Sequence, residues 1–338
     1  MSLEEIAKNM CAKGKGILAA DESTGTIAKR FKSINVENSE KNRLAFRETL
    51  FSSNAMKNYI GGVILFDETI KQKSTTGLSI PELIKRNNAI PGIKVDKGAK
   101  PLASSSEETV TEGLDGLRER LKEYYELGAR FTKWRAVYKI GNKFPSSQSI
   151  KSNAHALARY AALVQEAKMV PIIEPEVLMD GSHDINKCYH VTTDVLNECY
   201  NQLAIHKIDL KGTVLKPNMI IPGSGSSKKS SSEEIAQKTL DCLKKNVPDE
   251  VTGIAFLSGG QSEIEASKNL NAINKINNTS FLITFSYGRG LQASALKAFG
   301  LNQSDQKTIQ KAFDHRAKMN GLASKGEWSE NLEKEAAA

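Results

Sequence analysis

The sequence predicts an α/β chain, a single (β/α)8 TIM barrel over residues 1–316 with a C-terminal tail over residues 317–338. Three observations predict it. Eight short apolar runs alternate with longer stretches of helical periodicity, which implies parallel strands joined by helical crossovers. The length, 338 residues, suits such a barrel as one domain. Charged and hydroxyl residues gather at the C-terminal ends of the runs, where barrels of this kind build their sites. A doubly wound open sheet is the alternative. It would carry a Gly-rich dinucleotide fingerprint after an early strand, and none stands there.

In chain order the expected strands are ILAADES (17–23), IGGVILF (60–66), IPGIKVD (90–96), FTKWRAVYK (131–139), VPIIEPEV (170–177), GTVLKP (212–217), GIAFLSG (253–259) and LITFSYG (282–288). Helical periodicity fills the intervals, as in residues 154–164 and 191–203. Ser231 to Glu234 and Ser262 to Glu265 each have the Ser-x-x-Glu spacing of a capping box, which marks a helix start. The one low-complexity segment, PGSGSSKKSSSEE (222–234), reads as a solvated loop. Its sharper reading is a mobile loop at the mouth of a site.

Composition narrows the function. No apolar stretch approaches the ~20 residues that span a membrane. The opening MSLEEIAKNM has early acids and no apolar h-region, so it is not read as a secretory signal. Cys11, Cys188, Cys199 and Cys242 form no CxxC pair, which favours free thiols in a reducing compartment; a cytoplasmic location is expected. The net charge of +8 is spread along the chain; such a field can draw in anionic substrates, and it can also serve solubility only. Aromatics are few and no nucleic-acid motif appears, so neither nucleic acid nor membrane is an expected partner.

The strand ends carry Asp21 and Glu22, Lys94 and Asp96, Lys133 and Arg135, Glu174 and Glu176, Lys216, Ser258, and Ser286 with Arg289. Alternation along a strand puts Lys133 and Arg135 on one face, and likewise Glu174 and Glu176. A phosphate-binding face alone would use the cations without the interspersed carboxylates. A lysine that attacks a ketone to form a Schiff base must be neutral. Bringing its pKa from about 10.4 to about 7 takes roughly 4.6 kcal/mol of bias against the ammonium. Apolar neighbours and nearby cations both act in that direction. Lys216, after Thr-Val-Leu and before Pro217, is the candidate, with Lys133 and Arg135 as sources of repulsion. Lys94 and Lys133 compete for the role on these grounds. Glu174 or Asp21 would carry protons. The loops 258–262 and 286–290 have the small residues, and Arg289 the guanidinium, of a phosphate cradle after strands seven and eight.

The motifs LAADEST, IGGVILFDET, GIKVDKG, KWRAVYKI, PIIEPEVL, GTVLKPNM, FLSGGQSE and TFSYGRGLQASAL closely resemble the class I, Schiff-base, fructose-1,6-bisphosphate aldolases, over residues 5 to 330. The resemblance implies reversible cleavage of fructose 1,6-bisphosphate to dihydroxyacetone phosphate and glyceraldehyde 3-phosphate, with no cofactor and no metal. It implies Lys216 as the Schiff-base lysine, Glu174 as the acid of Schiff-base formation and dehydration, and Asp21 at the C4 hydroxyl. Lys133 and Arg135 would orient, and Glu176 would support. Ser258, Gly259, Gly288 and Arg289 would hold one phosphate, and Ser23, Thr26 and Lys94 the other. Thr26 stands where the family usually has serine. A homotetramer is implied, and a second role as a scaffold for cytoskeletal proteins is allowed. Many members end in a tyrosine that assists a late proton transfer; here the last tyrosine is Tyr287 and the chain ends NLEKEAAA. A transaldolase-like lyase is the nearest rival, but only a bisphosphate needs a second phosphate cluster. Metal-dependent aldolases use histidine ligands, and His183 and His190 are read as surface residues instead.

Overall fold

A computed structural model describes residues 1–105 and 107–335. Among these described residues there are ten strands: β1 Gly16–Ala20, β2 Ile60–Leu65, β3 Ile90–Lys94, β4 Ala99–Pro101, β5 Thr109–Thr111, β6 Phe131–Tyr138, β7 Val170–Val177, β8 Val214–Leu215, β9 Gly253–Phe256 and β10 Leu282–Tyr287. All but β4 and β5 close into a barrel in the order β1-β10-β9-β8-β7-β6-β3-β2. Every ladder in it is parallel. The eight expected runs coincide with these strands. The antiparallel β4–β5 hairpin, which the sequence reading did not anticipate, is inserted between β3 and β6. Its runs are only three residues each, too short for a periodicity to register.

Side-chain parity separates two apolar layers. Ile17, Ala19, Ile64, Phe131, Val170, Ile172, Val214 and Ala255 pack together inside the barrel. Leu18, Ala20, Val63, Leu65, Trp134, Ile173, Leu215 and Phe256 belong to the layer between strands and helices. The helix Leu3–Met10 closes the lower end through Ile6, Ala7 and Met10. Following the inward parity upward gives Asp21 after Ala19, Lys133 and Arg135 after Phe131, Glu174 and Glu176 after Ile172, and Lys216 after Val214. The same row of each strand is therefore apolar below and charged at the rim.

Strand β8 is short for a chemical reason. The Lys216 amide still donates to Ile173 O at 2.8 Å, but Pro217 has no N–H to continue the ladder. Ser262 caps the helix Glu263–Ile276 with a reciprocal capping box, whereas Ser231 caps Ser232–Asn246 from one side only. The helix Gln306–Ala323 runs across the boundary expected between residues 316 and 317. Ala317, Met319, Ala323 and Trp328 are buried, and Glu333 bonds Trp328 Nε1 at 2.8 Å and pairs with Arg316. The last three residues of the expected tail, 336–338, lie outside the described residues.

The barrel interior makes a stability prediction. A Cβ at Gly92 would lie 2.3 Å from the Phe131 ring, while one at Gly25 would meet nothing within 4 Å. Gly92→Ala should cost about 1–3 kcal/mol by overpacking. Gly25→Ala should be neutral or stabilise by up to about 1 kcal/mol. Urea midpoints for the two variants check the contrast.

Candidate active site

Four buried charged side chains meet at the top of the barrel. Glu174, from β7, places Oε1 3.1 Å from Lys216 Nζ and Oε2 3.3 Å from Lys133 Nζ. Lys133, from β6, also reaches Asp21 Oδ2 at 2.7 Å, just beyond the end of β1. Alternating signs make the row Lys216–Glu174–Lys133–Asp21 neutral as a whole. Arg135, half-buried, is paired with Glu176, so its charge is already engaged. The repulsion expected from Lys133 and Arg135 is thus not what Lys216 meets first. Its nearest charged neighbour is a carboxylate, and Lys133 stands on that carboxylate's far side.

The field of this row is readable in its members. Burial alone would raise the Asp21 carboxyl, but Lys133, Lys216 and Lys94 outweigh it and hold it well below the usual carboxylate range. Burial likewise pushes Glu174 up, and Lys133, Lys216 and Arg135 bring it below its ordinary value. Burial would lower the Lys133 ammonium; Asp21, Glu174 and Asp96 instead hold it above the lysine range. Lys133 is therefore a fixed cation and a poor nucleophile.

Hydroxyls, glycines and cations ring the same cavity, about 1030 Å³ in volume. Every site residue named from the sequence lines it. Ser23 caps the helix Thr24–Lys32, and its Oγ lies 3.1 Å from Thr26 Oγ1. Lys94, at the end of β3, is held by Asp96 Oδ1 at 2.7 Å. Gly259 has φ +56, a left-handed conformation that suits glycine, and its carbonyl accepts from Arg289. Gly288 opens the helix Arg289–Leu301, so Arg289 stands in its first turn. Among the described residues the buried Ser286 hydroxyl has no partner, and it lines the cavity.

Some cavity groups escaped the sequence reading. Arg30 pairs with Glu22 and lines the cavity. It lies seven residues after Ser23, on the same helix face, so helical spacing from the cap was the available signal. Arg47 and Gln292 support the site from behind: Arg47 donates to Glu22 O at 2.8 Å, and Gln292 to Ala19 O at 2.7 Å and Glu22 Oε1 at 3.1 Å. Residues 222–234 do not line the cavity; Gly223 and Gly225 are bound instead to His183 O and Gly181 O, each at 2.8 Å. His190 is exposed, and His183 is half-buried, with burial lowering its imidazole. Among the described residues no three His, Cys, Asp or Glu side chains converge as metal ligands, and the four cysteines are free and buried. Tyr287 is buried and donates to Ala266 O at 3.1 Å.

The depressed carboxylates stabilise the fold fully above their ordinary range near about pH 4, and that contribution is lost as pH falls below it. The raised Lys133 contributes fully below about pH 10, and its share is lost as pH climbs through its folded value. Lys133→Met leaves Asp21 buried without its nearest cation. It should cost about 3–5 kcal/mol at pH 7. The deficit should shrink below about pH 4, where protonated carboxyls no longer need a cation. Urea unfolding of both proteins across pH measures it.

Comparison with known proteins gives the family. The family model described as fructose-bisphosphate aldolase class-I matches residues 2–338. The chain is 55% identical over 314 residues to fructose-bisphosphate aldolase 4, cytosolic, of Arabidopsis thaliana, covering 93% of this chain and 80% of the relative. It is 50% identical over 332 residues to a probable fructose-bisphosphate aldolase class 1 of Xylella fastidiosa, covering 97% and 99%. A solved structure of fructose-bisphosphate aldolase from Plasmodium falciparum, in complex with TRAP and a small-molecule inhibitor, superposes with a TM-score of 0.95 at 44% identity, covering 97% of this chain and 95% of that one. On this agreement of sequence, fold and motif, the chain belongs to the class I fructose-bisphosphate aldolase family.

Proposed function

We propose that the chain cleaves fructose 1,6-bisphosphate through a Schiff base on Lys216. The observation that carries this reading is the Glu174 carboxylate seated between two lysines, 3.1 Å from Lys216 Nζ. A proton can pass from the Lys216 ammonium to Glu174 without leaving the buried row, and the amine is then free to attack the C2 carbonyl. Attack forms the C–N bond and a carbinolamine. Glu174 returns the proton to the departing hydroxyl, water leaves, and an iminium remains. Lys133 cannot compete, because Asp21 and Glu174 both favour its charged form.

The iminium withdraws electrons from the C3–C4 bond. Asp21, ionised and 2.7 Å from Lys133 Nζ, accepts the C4 hydroxyl proton as that bond breaks. Glyceraldehyde 3-phosphate leaves, and the electron pair stays on the enamine. Protonation at C3 and hydrolysis release dihydroxyacetone phosphate and restore Lys216. Ser258, Gly259, Gly288 and Arg289 bind one phosphate in this reading, and Ser23, Thr26 and Lys94 bind the other. Charge on the incoming phosphates would raise Glu174 towards the range where it exchanges protons readily. The cytosolic relative at 55% identity supports a cytoplasmic setting for the same chemistry.

Borohydride added with dihydroxyacetone phosphate should inactivate the enzyme and leave the reduced adduct on Lys216, as peptide mass spectrometry reads it. An adduct on Lys94 or Lys133 would reassign the nucleophile, and no adduct would remove the Schiff base. The amine serves as electron sink, so the reaction needs no Lewis acid. Cleavage activity should persist in excess EDTA; loss restored by zinc would contradict the mechanism.

A further inference from the structure

Asp96 enters the account above only as the least of three carboxylates that keep Lys133 charged, yet its own carboxylate is the meeting point of three segments. Its side chain is only 3% exposed. Oδ1 lies 2.7 Å from Lys94 Nζ and accepts the Gly98 amide at 3.1 Å. Oδ2 accepts the Arg135 amide at 3.3 Å. The Asp96 carbonyl also accepts from Lys94 Nζ, at 2.8 Å.

The backbone explains why a carboxylate is needed. The β3–β6 ladder has its last paired residues at Lys94 and Lys133, and one more bond follows, from Val95 N to Lys133 O at 3.0 Å. The next acceptor in a parallel ladder would be Val95 O, but Arg120 Nη1 occupies it at 2.9 Å. Strand β3 has peeled away, and the Arg135 amide is left to Oδ2 of Asp96. That carboxylate replaces a missing backbone acceptor on β6 and binds the start of the β4–β5 insertion through Gly98. With its remaining capacity it grips the Lys94 ammonium twice, once by side chain and once by backbone. A lysine stem has four rotatable bonds and would otherwise sample many positions.

We propose that Asp96 is a positioning residue that fixes where the Lys94 charge stands over the cavity, and so sets the preference for a sugar with a second, distal phosphate over a monophosphate. This rests on Lys94 being a ligand of that phosphate. Asp96 acts through Lys94 and does not touch substrate. Its carboxylate also lowers the local positive charge, so a mere damping role would work in the opposite direction.

The test is the ratio of kcat/KM for fructose 1,6-bisphosphate to that for fructose 1-phosphate. The ratio cancels the concentration of active enzyme, so partial unfolding of a variant does not disturb it. Lys94→Ala should lower the ratio about ten- to a hundredfold, the worth of one charge-assisted contact. Asp96→Asn, which keeps the shape, should lower it about tenfold in the otherwise native enzyme. In the Lys94→Ala background, Asp96→Asn should leave the ratio unchanged, because the group it positions is gone. A ratio unmoved or raised by Asp96→Asn overturns the proposal, as does a further fall in the double variant. If Lys94→Ala itself leaves the ratio unmoved, the phosphate assignment of Lys94 fails, and the positioning role falls with it. The single Lys94 variant therefore separates failure of the underlying reading from failure of the inference.

Discussion

The Glu174 carboxylate, held between Lys133 and Lys216 beneath the rim, is the interaction on which the remainder of the site depends. The three side chains are 4%, 5% and 5% exposed, so none can rely on water to solvate its charge. Removing one charge from such a row leaves its neighbour buried and unpaired, a penalty larger than the pair's own contribution. Asp21 completes the row and brings the count of positive and negative groups to balance. The closed barrel makes this possible. Only neighbouring inward rows on β6, β7 and β8, with the end of β1 across the mouth, bring four long side chains to one spot.

Below the row the same inward positions are filled with Ile17, Phe131, Ile172 and Val214. The Phe131 ring occupies the space that the side-chain-free Gly62 and Gly92 leave open. This apolar plug keeps the charged layer at the rim and fixes the strand spacing that sets the lysine–carboxylate distances. Behind β1, Glu22, Arg30, Arg47 and Gln292 form a second polar network that ties Asp21 and Ser23 to three helices. The rim is thus braced from inside the barrel and from the helical shell.

Much of this was legible in the primary structure, because two periodicities do the encoding. Short apolar runs separated by capped helices specify the barrel, and alternation within a run specifies which polar residues face inward. Lys133 with Arg135 and Glu174 with Glu176 follow from that parity alone. What parity does not carry is the order of charges across strands. The sequence placed Lys133 and Arg135 as repulsive neighbours of Lys216, whereas a carboxylate from β7 lies between the lysines and Glu176 engages the guanidinium. The tail boundary at residue 316 falls within a helix, because burial of Ala317 and Met319 is a tertiary contact with no local signature. Arg30 depends on how a helix is turned towards the mouth, and Asp96 on an acceptor lost by a neighbouring strand. Such features arise from packing, beyond the reach of local spacing.

The central claim is that Glu174 moves the protons that make Lys216 an amine and then an iminium. Rapid-quench trapping with borohydride, run on Glu174→Gln against the native enzyme, tests it most directly. The glutamine keeps the shape and cannot exchange a proton. Imine formation should slow by about a hundredfold to ten-thousandfold, the usual worth of general acid–base catalysis. The adduct should still attach to Lys216. Adduct formation at the native rate, or its transfer to Lys133, would contradict the account.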